Sequence, residues 1–328
     1  MRRREFIGLF CGTAAWPFAA RAQQSPRPWR IGFLAGGERP PNFEGTVYGA
    51  FLRGMREAGY AENRDFSVEW RFAEGRYELF PSLAEELVRA KVDVIVVALT
   101  AAIRAVMRAT DTIPIVMAVA SDPVGNGYVT SLAHPTGNVT GLASFEDEIV
   151  SKQLQLVALL LPNLSRVSFL LNRDNPNHLN GSKILQQAAR RSNLTVVEAE
   201  FRKVQDVKDA FATLSRERAD VVIATGDGVL FSHRYQIAEM ALNIGLPTVF
   251  SQREYVEAGG LMSYGASLGD YYRRAAFYVD KLLKGAKPSE LPVQQPTRFS
   301  TTLNRKTAER LGLNVPVQLL VIADEVIE

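Results

Sequence analysis

One cysteine and three histidines are all that 328 residues contain of those two types. With Cys11 alone, no disulfide can form within the chain, and zinc sites built on several cysteines are excluded. His134, His178 and His233 lie far apart and lack the close spacing of metal ligands. Beyond the N-terminus there is no uninterrupted apolar run of the ~18 residues that a membrane-spanning helix needs. An excess of one charge is missing too. Lys and Arg number 38 against 35 Asp and Glu, a formal charge of +3. Arg2, Arg3, Arg4 and Arg21 against Glu5 account for all of it, so residues 23–328 are formally neutral. A neutral chain carries no electrostatic footprint for nucleic acid. Catalytic signatures are also absent: neither a G-x-S-x-G elbow nor an HExxH occurs. Gly226-Asp227-Gly228 lacks the Lys-Ser/Thr of a phosphate loop. Gly36-Gly37 lacks the third spaced glycine of a dinucleotide turn. No cofactor, metal or catalytic residue is expected.

What is present begins with an address. Arg2-Arg3-Arg4 is followed by an apolar stretch from Phe6 to Ala20 and by the small-x-small site Ala20-Arg21-Ala22. This order predicts an export signal over residues 1–22 and a mature chain starting at Gln23. Arg3-Arg4 with Phe6-Ile7 resembles a twin-arginine signal, with the general secretory route as the alternative. Bulky Phe10 before Cys11 argues against a lipid anchor. Roughly 300 mature residues fit two domains of ordinary size, each with a core that needs no disulfide.

The chain then alternates between two patterns. Short β-branched runs such as Val92–Ala98 and Ile113–Val119 read as parallel strands covered on both faces. Between them come helical spacings over 44–58, 79–90 and 101–109. Phe66, Val68, Trp70 and Phe72 alternate as a half-buried strand. The stretch Gly137-Asn138-Val139-Thr140-Gly141-Leu142-Ala143-Ser144-Phe145 is β-capable and set off by glycines, as a strand crossing between two lobes should be. After it the rhythm resumes. Strands are expected at Val167–Asn172, Thr195–Phe201, Asp220–Ala224, Pro247–Phe250 and Leu261–Ser263. Helices are expected over 180–191, 204–218, 233–244 and 269–283. The prediction is an α/β fold of two doubly wound parallel-sheet lobes joined by a hinge near Phe145 and Glu146. Residues 30–143 and 264–328 are assigned to the first lobe and 145–263 to the second.

With the chain so divided, a set of stretches in fixed order carries a family resemblance. Ala73-Glu74-Gly75, Ile113-Pro114-Ile115-Val116, Asp122-Pro123-Val124 and Pro135-Thr136-Gly137-Asn138-Val139-Thr140-Gly141 belong to it. So do Glu257-Ala258-Gly259-Gly260-Leu261-Met262-Ser263-Tyr264-Gly265 and Ala323-Asp324-Glu325-Val326-Ile327-Glu328. The sequence resembles the ABC-transporter substrate-binding proteins of the tryptophan/tyrosine type, with the type I periplasmic binding protein fold. The resemblance covers nearly the whole mature chain. It implies two α/β lobes, a hinge, and capture of a small solute for a membrane permease.

Right-handed crossovers put the loops after the strands on one edge of each sheet, where open α/β sheets bind ligands. Those loops hold the candidate ligand-binding residues. In the first lobe they are Gly36, Gly37, Thr100, Ala101, Ser121 and Asp122. In the second they are Asn172, Asp174, Asn175, Thr225, Asp227, Ser251 and Arg253, with Phe145 and Tyr264 near the crossing. Hydroxyls and free backbone N–H groups at Thr100, Ser121 and Ser251 can take a carboxylate. Asp227 or Asp174 can pair with an ammonium, and Arg253 with an anion. The alternative for each is a cap or a tight turn, which use the same residue types. The expected function is an exported, periplasmic, monomeric solute-binding protein for an amino acid or related carboxylate. A ligand-sensing regulator would need a helix-turn-helix before Arg30, where the export signal stands. A hydrolase using Asp122 or Asp227 is the remaining alternative.

Overall fold

The computed structural model describes residues 27–328; the expected export signal lies outside the described residues. The first lobe contains β1 (Trp29–Ala35), α1 (Val47–Glu57), β2 (Phe66–Phe72), α2 (Phe80–Arg89), β3 (Val94–Val97), α3 (Thr100–Ala109), β4 (Ile115–Ser121) and β5 (Val139–Ser144). Its strands form a parallel sheet in the order β2-β1-β3-β4-β5. The period of two along β3 explains why helices cover both faces. Val94 and Val96 join one core with Phe33, Phe51 and Val116. Ile95 and Val97 point the other way, into a core with Leu34, Ile103 and Met117. A strand buried on both faces has no polar positions to spare, hence the unbroken apolar run.

The second lobe begins with α4 (Glu146–Leu160), β6 (Arg166–Asn172), α5 (Pro176–Arg191), β7 (Thr195–Phe201), α6 (Val204–Arg216) and β8 (Val221–Ala224). It continues through α7 (Gly228–Ser232), α8 (Arg234–Asn243), β9 (Thr248–Phe250), α9 (Arg253–Glu257) and β10 (Met262–Gly265). Val167 and Phe169 face one core with Val157 and Leu185. Leu170 and Val222 face another with Phe211 and Tyr255. The five-residue helices α7 and α9 occupy loops that carry too few residues for a helical period to be legible.

After β10 the chain does not stay in one lobe. Helix α10 (Leu268–Leu283) crosses to the first, where Tyr271, Tyr272, Ala275 and Val279 join the core against α1. There Gly54 permits close packing: a Cβ on it would lie 2.4 Å from the Arg273 carbonyl oxygen. Gln294 then pairs with β5, accepting from Ala143 N at 2.9 Å and donating to Gly141 O at 3.0 Å. From there the chain recrosses. Strands β11 (Ser300–Asn304) and β12 (Glu325–Ile327), with α11 (Arg305–Arg310) and α12 (Val317–Ile322), extend the second lobe. Its seven-stranded sheet runs β12-β11-β10-β9-β8-β6-β7, with β11 antiparallel to β10. The assignment of 264–328 as a whole to the first lobe is therefore corrected: residues 300–327 belong to the second sheet. The cause is twofold. The open edge of β10 needs hydrogen-bond partners, and Leu303, Ala308 and Leu319 complete the apolar core beneath it.

Three segments thus join the lobes, at 144–146, 265–268 and 294–300. Aromatic rings pack beside them: Tyr264 stacks on Phe299 at 5.7 Å, and Phe145 meets the same ring at 6.5 Å. Upstream of the first crossing, Gly141 holds φ +132°, and a Cβ there would lie 2.2 Å from the Met117 carbonyl oxygen. That approach coincides with the register shift between β4 and β5 after Met117. Gly141→Ala is expected to destabilise the fold by at least about 1–3 kcal/mol, the cost of a residue forced into a disfavoured backbone region. Urea unfolding would measure it, and a midpoint equal to wild type would remove this account of the glycine.

Candidate functional site

The edges of the two sheets face each other across a cavity. The first lobe contributes Gly36 and Gly37 after β1, Leu99 and Thr100 after β3, and Tyr48 and Tyr272 from helices α1 and α10. The second contributes Glu146, Asn177, Gly226, Asp227, Phe231 and Gln252. The lobes touch. A Cβ on Gly228 would lie 2.9 Å from the Gly36 carbonyl group, so glycine is what permits this approach. Glu38 N donates to Ser232 Oγ at 3.0 Å across the same gap.

Asp227 is the most heavily bonded group of the site. It is 3% exposed and caps α7, its Oδ1 accepting from Val229 N at 2.8 Å and Leu230 N at 3.1 Å. Its Oδ2 accepts from Asn172 Nδ2 at 2.9 Å, Asn175 Nδ2 at 3.0 Å and the Tyr77 hydroxyl at 2.7 Å. Tyr77 belongs to the first lobe; its oxygen also accepts from Gly228 N at 3.2 Å. Burial, with the Asp227 carboxylate beside it, holds the Tyr77 pKa well above the ordinary tyrosine value. It therefore acts as a proton donor. His178 braces the same network from behind. Its Nδ1 accepts from Asn172 N at 3.0 Å and its Nε2 faces Thr225 O at 3.3 Å. Burial pushes its pKa down, against the pull of Asp227, which favours the neutral tautomer that satisfies both bonds.

Around this knot the cavity has two textures. Tyr48, Tyr272, Val47, Leu268 and Phe231 form an apolar wall, with the Tyr48 and Tyr272 rings 5.7 Å apart, edge to face. The polar side holds the carboxylates of Glu146 and Asp227, and among the described residues no lysine or arginine lines it. Asn177 Nδ2 donates to Glu146 Oε1 at 3.1 Å. Asn177 Oδ1 and Gln252 Oε1 are out of contact with solvent and accept no hydrogen bond. Thr100, at the start of α3, accepts from Ser121 N at 3.0 Å.

The sequence-derived candidates divide accordingly. Gly36, Gly37, Thr100 and Asp227 line the cavity. Asn172 and Asn175 lie behind it, fully engaged in the Asp227 knot, and Ser121 and Thr225 are buried beneath it. Ser251 is buried and bonded to Gln153 Nε2 at 3.4 Å. Phe145 and Tyr264 pack at the crossings. Ala101 instead faces a groove between α2 and α3. Asp122 is exposed and closes its own turn on Gly125 N, at φ +39°. Asp174 pairs at 2.9 Å with Arg202 on the surface. Arg253 pairs with Glu257 at 2.9 Å and Glu325 at 3.1 Å, which ties α9 to β12. The expected pairing of Asp227 with a solute ammonium meets a carboxylate already accepting five bonds. Sequence reasoning passed over Tyr77, Tyr48, Asn177, Phe231 and Tyr272. Only Tyr77 carried a signal, in the loop that follows β2.

The family model described as ABC transporter substrate binding protein matches residues 42–327. This chain belongs to that family. As a member it is the substrate-binding component of an ABC transporter. A tyrosine-binding protein of Clostridioides difficile is 25% identical over 263 residues, covering 80% of this chain and 75% of that one. A conserved domain protein of Vibrio cholerae superposes with TM-score 0.84 at 27% identity, over 92% of this chain and 100% of the other. An ABC domain from Streptococcus pneumonia, solved in complex with L-Trp, gives TM-score 0.82 at 24% identity over 92% and 100% of the two chains. It shares the fold.

The Tyr77 contact generates a direct expectation for this substrate-binding protein. Tyr77→Phe leaves Asp227 its cap and both amides and removes the Tyr77 hydroxyl's bonds between lobes, to Asp227 and from Gly228 N. Hydrogen bonds to charged groups contribute about 1.5–3 kcal/mol, so the closed form should lose roughly that much. Small-angle scattering should report a larger mean radius of gyration without solute, and affinity should fall about 10- to 100-fold. Scattering and affinity equal to wild type would refute the role.

Proposed function

We propose that the protein captures an α-amino acid with an apolar or aromatic side chain by closing its lobes, and delivers it to a membrane permease. The observation that carries this reading is the two-textured cavity, an aromatic wall facing a polar side with carboxylates and no basic residue. An aromatic side chain would lie against Tyr48, Tyr272 and Phe231, whose rings offer large contact area at little entropic cost. The solute carboxylate would take backbone N–H groups at the start of α3 and the Thr100 hydroxyl, since helix N-termini favour anions. Its ammonium would lie on the acidic side, in the second lobe. A solute held from both lobes makes its full set of contacts only in the closed form, so binding shifts the open–closed equilibrium. The tyrosine-binding relative supports this solute class. The test is a thermal-shift screen of the purified chain against the amino acids, sugars and nucleosides. An aromatic amino acid at about 100 times its dissociation constant should stabilise by roughly 2.7 kcal/mol. A response confined to sugars would overturn the solute class.

The site of action belongs to the same reading. Periplasmic solute capture, after removal of residues 1–22, is supported by the Arg2–Arg4 run, the apolar stretch and Ala20-Arg21-Ala22. N-terminal sequencing of the envelope fraction should return Gln23. Recovery of intact Met1 from the cytoplasm would refute export. Changing Arg3 and Arg4 to Lys should block export by the twin-arginine route and leave the general secretory route working.

A further inference from the structure

We propose that Glu254 couples cleft closure to the uptake of a proton, so that the lobes close, and solute is held, more firmly as the surroundings acidify. This rests on closure of the lobes and not on which solute they take. Glu254 lies in α9 of the second lobe and lines the mouth of the cleft. Across that mouth stand Tyr48, Ser267 and Gly269 of the first lobe. Glu254 Oε2 is out of contact with solvent and accepts no hydrogen bond. A carboxylate oxygen deprived of both water and donors favours the neutral acid. Asp227 is the contrast: it is as deeply buried, but five donors stand in for its lost water. Charge on Asp227 is therefore compatible with the closed cleft, and charge on Glu254 opposes it.

The charges around Glu254 are engaged elsewhere. Arg253, beside it in α9, is held by Glu257 at 2.9 Å and Glu325 at 3.1 Å. Arg234 of α8 donates Nη1 to Phe231 O at 2.9 Å, and its guanidinium lies over the Phe231 and Tyr235 rings at 5.0 and 4.9 Å. From the first lobe, Glu38, Arg39 and Arg53 line the same mouth. Tyr48, Tyr255 and Tyr272 stay neutral, because burial raises the pKa of each above the ordinary tyrosine value. Burial likewise raises the Glu254 pKa above the ordinary 4.5; Glu257 adds to the rise, while its own backbone N–H, Arg253 and Arg234 oppose it. Parting the lobes would draw Tyr48 of α1 and Gly269 of α10 away from this mouth and return water to the carboxylate. The closed form thus binds a proton that the open form gives up. Closure gains as pH falls through the raised, closed-form pKa, and the gain levels off below the ordinary 4.5. Above the closed-form value the carboxylate is charged in both forms, and closing must strip it of water.

Small-angle scattering of the solute-free chain and isothermal titration with tryptophan test this. Tryptophan's own carboxylate and ammonium do not titrate from about pH 7.5 to about pH 5. Over that range the wild-type radius of gyration should fall on acidification. Affinity should rise, by at most about tenfold per pH unit, since one proton is linked. Titrations in two buffers of different ionisation enthalpy should show net proton uptake on binding. Glu254→Gln and Glu254→Met keep the size of the side chain and lack the charge. Both should take up no proton, scatter alike at both ends of the range, and bind tryptophan under neutral conditions at least as tightly as the acidified wild type. Melting curves identify a variant that misfolds, and a wild type without proton uptake and without compaction overturns the proposal whatever the variants do. His233 Nε2 stands 3.8 Å from Glu38 Oε1 across the same seam and would act in the same direction. A pH slope that survives in Glu254→Gln and vanishes in His233→Gln would assign the effect to that pair and overturn the proposal. The scattering needs no solute. A chain that ignores tryptophan, yet compacts on acidification only with Glu254 in place, would refute the solute class under "Proposed function" and uphold this coupling.

Discussion

The Asp227 carboxylate holds the parts of the cleft in register. A charge 3% exposed survives only where donors replace water, and five do so here. Two come from the start of α7, whose N-cap is Asp227. Two come from asparagines that are themselves fixed. Asn175 Oδ1 caps α5 through Asn177 N, and Asn172 Oδ1 accepts from Asp174 N. The ends of β6, α5, β8 and α7 are thereby tied to one atom group. The fifth donor, Tyr77, arrives from the other lobe. Four of the five donors belong to the lobe of Asp227 itself and one to the other, so separating the lobes would cost this carboxylate one bond.

This division suits a device that must open again. A charge buried wholly by closure would hold the lobes shut; a charge stabilised within its own lobe does not. Other contacts between the lobes include Gly36 against Gly228, Glu38 N donating to Ser232 Oγ, and Gly228 N donating to the Tyr77 hydroxyl. Glycines here let backbones touch without side chains interlocking. The three crossings lie beside the packed rings of Phe145, Tyr264 and Phe299. Family membership as a substrate-binding protein and the geometry meet at this point: capture and release require two stable bodies and one weak seam.

The amino-acid sequence by itself determined the two α/β series. Unbroken β-branched runs and helical spacing are local properties, and a strand buried on both faces can be written no other way. Sequence also indicated the cleft edge, because right-handed crossovers put Gly36, Thr100, Asn172 and Asp227 at the same end of their sheets. Tertiary structure alone decided which of these point inward. Asp122, Asp174 and Asp227 follow strands alike, yet only Asp227 is met by buried amides and a tyrosine from the other lobe. Tyr48 and Tyr272 lie within helices whose periodicity marks them as core and is silent on which core borders a cavity. The last residues show the same limit. Their apolar pattern announces burial, but pairing with the open edge of β10 rather than with the first sheet is a long-range choice, made by the hydrogen bonds and core space left unfilled there. Local pattern fixes what each segment is; contacts far apart in sequence fix what it faces.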